Sequence, residues 1–102
     1  MAKLVALYRM PKDTEAFDRY YYGTHVPIAR LVPGLKKYDV SNGPVASPTG
    51  ASDYHLVATL YFDSIADIHA GLASAEGQAA AADLANFADG GVELLMFDTH
   101  EV

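Results

Sequence analysis

Apolar positions recur along this chain in two rhythms, and their order predicts the elements. Lys3 to Arg9 (K-L-V-A-L-Y-R) is a short apolar run closed by Met10-Pro11-Lys12-Asp13, which reads as a strand with a breaker behind it. Phe17, Tyr20, Tyr21, Thr24, Ile28 and Leu31 then follow the i, i+3, i+4 spacing of one buried helix face. Asp13 or Thr14 supplies the N-cap, and Glu15 and Asp18 place negative charge in the first turn. Pro27 falls inside the pattern, where it removes a backbone donor and crowds the carbonyl of Gly23. A kink, or a break and restart capped by Thr24, is expected there. Pro33-Gly34 ends the helix.

Leu35 to Asn42 alternates as a second strand, with Tyr38, Val40 and Asn42 on one side. Gly43 to Asp53 carries Gly, Pro and Ser throughout and is the one long loop expected. Tyr54 to Asp63 (Y-H-L-V-A-T-L-Y-F-D) is the clearest strand. Ser64, with Asp67 three residues on, opens a helix whose apolar side is Ile65, Ile68 and Leu72. Ser74 starts an alanine-rich helix that Gly90-Gly91 stops, and Val92 to Val102 forms a last strand. The order β-α-β-β-α-β, with its second helical section split, predicts an α+β, ferredoxin-like domain over residues 1–102. Its four-stranded antiparallel sheet would carry the helices on one face.

The other face of that sheet is the informative one. Leu56, Ala58, Leu60 and Phe62 suit the helices, which leaves His55, Val57, Thr59 and Tyr61 opposite. Val5 and Leu7, and Leu95 and Phe97, alternate with apolar neighbours in their own strands. A solvated face would alternate with charge instead. Apolar patches of that extent mark an interface or a ligand groove. A homodimer is therefore expected, its two sheets facing each other around a cavity.

Composition narrows the chemistry. A net charge of −6, with only seven scattered basic residues, argues against nucleic acid and anionic membranes. No cysteine is present, which excludes disulfides, thiolate nucleophiles and Cys-ligated metals. Met1 to Leu7 is too short for a signal peptide, and no apolar run approaches the ~20 residues of a membrane span. A cytoplasmic protein is expected. His-Glu-x-x-His spacing, paired histidines at i, i+4, a nucleophile elbow and a phosphate-binding glycine pattern are all missing, so neither a metal nor a cofactor is expected.

What remains is the stretch Phe17 to Gly34, with three consecutive tyrosines, one of four histidines and two prolines. His25 lies at the edge of the predicted face, where a neutral imidazole could accept a proton. It could equally bond the backbone near Gly23. Tyr8, Tyr21, Tyr38, His55 and Tyr61 are the candidate ligand contacts, by helix neighbourhood or strand phase.

The segments F-D-R-Y-Y-Y-G-T-H-V-P-I-A, V-P-G-L-K-K-Y and Y-H-L-V-A-T-L-Y-F-D, in this order and spacing, resemble the EthD domain family. That family belongs to the dimeric α/β-barrel superfamily, alongside muconolactone isomerases, polyketide cyclases, cofactor-free monooxygenases and haem-degrading enzymes. The resemblance implies a cavity for a small, often cyclic organic molecule. It also implies that His25 and Tyr38 point into that cavity. The absence of tryptophan argues against the haem-degrading branch. Three functions stay open: a cofactor-independent isomerase, cyclase or decarboxylase with His25 as proton shuttle, a non-catalytic carrier of an aromatic or ether-derived metabolite, and a cofactor-free monooxygenase.

Overall fold

The computed structural model describes residues 1–102. Strands β1 (Ala2–Arg9), β2 (Lys37–Val40), β5 (Tyr54–Phe62) and β6 (Val92–Asp98) form one antiparallel sheet in the order β2-β5-β1-β6. Period-two alternation decides which side chains go inward. Ala2, Leu4, Ala6 and Tyr8 of β1 and Leu56, Ala58, Leu60 and Phe62 of β5 are all buried against the helices. The loop expected at Gly43–Asp53 folds back on itself as a small hairpin, β3 (Ala46–Ser47) with β4 (Gly50–Ala51).

One face of the sheet is covered by α1 (Thr14–Tyr20), α2 (Val26–Ala29), α3 (Ile65–Ala73) and α4 (Ala75–Asp83). Asp13 caps α1 by accepting from the Ala16 amide, and Ser64 and Ser74 cap α3 and α4 in the same way. The α3–α4 corner is tight. A Cβ on Gly77 would lie 2.0 Å from the Gly71 carbonyl oxygen, so only glycine lets the two helices approach so closely. α4 ends at Asp83 and continues as one tight turn, Leu84–Asn86, stopping short of the Gly90-Gly91 boundary expected from sequence.

The first helix corrects the sequence expectation. It does not break and restart at Thr24. Between α1 and α2 it widens into a π-turn, Tyr21–His25, in which the Val26 amide bonds the Tyr21 carbonyl five residues back. Pro27 has no amide to offer, and the widened turn takes up one residue more than an α-turn would. The buried positions consequently shift by one, to Phe17, Tyr21, His25, Ala29 and Val32. Thr24 is exposed, and so is Leu31, at 67%.

Candidate functional site

The π-turn carries His25 from the edge of the helix face to its centre, where only 5% of the residue remains exposed. Its Nδ1 lies 2.8 Å from Oδ2 of Asp83, at the end of α4. The other oxygen of Asp83 accepts from the Tyr20 hydroxyl at 2.6 Å and from Asn86 Nδ2 at 3.0 Å. Burial opposes ionisation of Asp83, but the bonds from Tyr20, Asn86 and His25 outweigh it and hold the carboxyl below its ordinary range. An ionised carboxylate only accepts. Nδ1 of His25 must therefore carry the hydrogen, and in the neutral ring Nε2 is left as a bare acceptor.

Phe87 and Tyr21 both pack against the imidazole, with ring centroids at 4.7 and 5.4 Å. Beyond it lies a cavity of about 70 Å³ between the helices and the inner face of the sheet. Of its seventeen lining residues, only His25 and Gly77 fall outside the apolar and aromatic set. Tyr8, Tyr21 and Tyr38 are the hydroxyl-bearing residues of this wall. Those of Tyr21 and Tyr38 are 2.5 Å apart. Burial is the main force raising the pKa of all three tyrosines, so each stays a neutral donor at ordinary pH. At Tyr38 the bond to Tyr21 and the charge of Arg30 partly offset the rise.

The cavity therefore lies within one chain, on the helix side of the sheet. The reason is volume. Alanines 6, 29, 58, 80 and 81 line the space where helices meet sheet, and larger side chains there would fill it.

Four of the six candidate residues meet at this cavity: His25, Tyr8, Tyr21 and Tyr38. His55 and Tyr61 do not. A β-bulge leaves His55 without a partner on β1, since Tyr8 pairs with Leu56 and Arg9 with Tyr54. The bulge turns His55 to the helix side, where Nε2 is 2.7 Å from Asp18 Oδ1 and the ring meets Phe17 edge-on at 5.1 Å. Tyr61 is on the outer face, between Lys3 and Lys37 and hydrogen-bonded to Asp39. Asp83 was not singled out from sequence. One signal was available: it is the only charged residue in A-A-A-A-D-L-A-N-F-A, at the helix end where a negative charge is least favourable.

A model of the EthD domain matches residues 9–91. The chain belongs to the EthD domain family. It is 40% identical over 102 residues to an uncharacterized 11.0 kDa protein of the thcB-thcC intergenic region of Rhodococcus erythropolis, covering 100% of this chain and 98% of that one. It is also similar to the crystal structure of an EthD family protein from Bacillus halodurans. Identity there is 35% and the TM-score 0.89, over 98% of this chain and 99% of the other. Two more distant structures share only the ferredoxin-like fold. One is a dimeric ferredoxin-like protein of Thermobifida fusca (TM-score 0.70, 18% identity, 96% and 90% covered). The other is SnoaB, a cofactor-independent oxygenase of Streptomyces nogalater (TM-score 0.69, 14% identity, 99% and 94% covered). No helix in the chain is long and apolar enough to cross a membrane.

Proposed function

We propose that this EthD protein binds a small organic molecule in the cavity behind His25 and moves a proton on it without a cofactor. The observation that carries this reading is the Asp83–His25 pair, 2.8 Å apart and buried, with His25 on an otherwise apolar cavity wall. Asp83 holds the ring in one tautomer, which leaves Nε2 as the nitrogen that takes a proton. The Tyr21–Tyr38 pair has two hydroxyl hydrogens and uses one of them internally. The second is free to donate to a carbonyl or phenolic oxygen as charge develops there. Isomerisation, cyclisation and decarboxylation all need such a base and donor.

The test is deuterium exchange from D2O into a panel of small cyclic ketones, lactones and phenols, followed by NMR. The folded wild-type protein should accelerate exchange in at least one class. His25→Gln should lower that rate by roughly 10²–10⁴-fold, the usual contribution of a positioned base. Saturable binding with no exchange in any class would replace this reading with that of a carrier. The likeness to SnoaB, at 14% identity, supports the barrel-type fold of this reading and not an oxygenase reaction.

We also propose a homodimer formed through the outer face of the sheet. Its middle rows hold Val5, Leu7, Val57 and Leu95, and Leu95 is 54% and Phe97 41% exposed in the single chain. The dimeric Thermobifida fusca protein of the same fold supports this assembly.

A further inference from the structure

Two features of the cavity define the charge of what can enter. First, none of its lining residues is Lys or Arg. Arg30, whose charge reaches Tyr38, is exposed and is not part of the wall. The anion Asp83 stands directly behind His25, so the field at the cavity is negative. A carboxylate entering would trade water for an apolar wall and a like charge, with no cation in that wall to pair with it.

Second, the cavity offers hydrogen bonds that the chain itself does not use. No fully enclosed side-chain polar atom lacks a partner. The Tyr8 hydroxyl makes no hydrogen bond within the chain although the residue is only 2% exposed, so its oxygen must open onto the cavity it lines. His25 Nε2 is in the same position. A donor left without a partner in an apolar wall is costly unless a ligand satisfies it.

We infer that the cavity takes an uncharged ring compound by an oxygen-bearing edge, with the Tyr8 hydroxyl donating to that oxygen, and rejects the corresponding carboxylate. This rests on the reading of the cavity as a ligand site. Its volume of about 70 Å³ is roughly half that of a ~150 Å³ cavity that holds benzene. The polar edge therefore enters and the rest of the ring lies at the mouth. Leu94, itself a lining residue, is 50% exposed on the helix-facing side of β6 and offers apolar surface there. Tyr8 is thus a specificity residue, distinct from the base.

Calorimetric titration with benzamide and benzoate at pH 7, a near-isosteric pair differing in charge, tests this. Benzamide should bind at least tenfold more tightly. Tyr8→Phe should weaken benzamide by about five- to tenfold. Leu94→Lys, a surface change at the mouth, should narrow or reverse the preference. Benzoate binding as tightly as benzamide, no benzamide binding, or an unchanged benzamide affinity in Tyr8→Phe would each overturn the inference. His25→Gln should lose proton exchange while still preferring benzamide. Failure of the proton-transfer reading therefore leaves this one standing, and the reverse also holds.

Discussion

The Asp83 carboxylate stands at the C-terminal end of α4, where the helix dipole disfavours an anion, and it is buried there. Three donors keep it ionised, and Tyr20 and His25 among them tie the first helical segment to the second. Its folded pKa is depressed, so its contribution to stability is complete above the ordinary carboxylate range, about pH 4, and is lost as pH falls through the lower folded value. Urea unfolding should show wild type losing more stability between pH 5 and pH 3 than Asp83→Asn, which removes the titrating group. Asp83→Ala, which leaves its donors unanswered, should cost about 1–3 kcal/mol at pH 7. Sequence reasoning reached His25 through its unusual neighbours, but it could not reach Asp83. The pair is separated by 58 positions, and an alanine-rich helix has too little periodicity to show which side faces the core.

At the scale of elements, the β-α-β-β-α-β order was legible because β1, β5 and β6 are apolar runs and Pro and Gly punctuate the segments between them. The π-turn was not. Pro27 announced a disturbance, yet hydrophobic spacing cannot say whether a helix kinks, breaks or widens. Only widening moves the buried face from Thr24 and Leu31 to His25 and Val32. The bulge at His55 misled for a related reason, since one extra residue turns a strand side chain to the other face. Two glycine substitutions separate open from crowded backbone in these helices. A Cβ on Gly23 meets nothing within 4 Å, so Gly23→Ala should stabilise by about 0.5–1 kcal/mol through helix propensity. Gly77→Ala forces a contact with the Gly71 carbonyl and should destabilise by about 1–3 kcal/mol or more. Thermal melts of the two variants should move in opposite directions.

Across the whole molecule, the sheet separates two jobs. Its inner face and the helices enclose the cavity within one chain, and its outer face presents an apolar centre bordered by polar rows. Lys3, Lys37, Asp39 and Tyr61 form one border, and Arg9, Tyr54 and Glu93 form the other. Such borders add little stability to a single exposed chain but fix register when two chains meet. Light scattering should give about twice the chain mass of 10.9 kDa, and Leu95→Asp with Phe97→Asp should give monomers. Because the cavity belongs to one chain, those monomers should keep the Asp83–His25 pair.

The nitrogen NMR shifts of His25 test the central claim most directly, since that claim is that Asp83 leaves Nε2 as a bare base on the cavity wall. With the ring neutral, the wild-type protein should show a protonated Nδ1 and an unprotonated Nε2. Asp83→Asn should mix or invert the two tautomers. A wild-type His25 protonated at Nε2 would contradict the account.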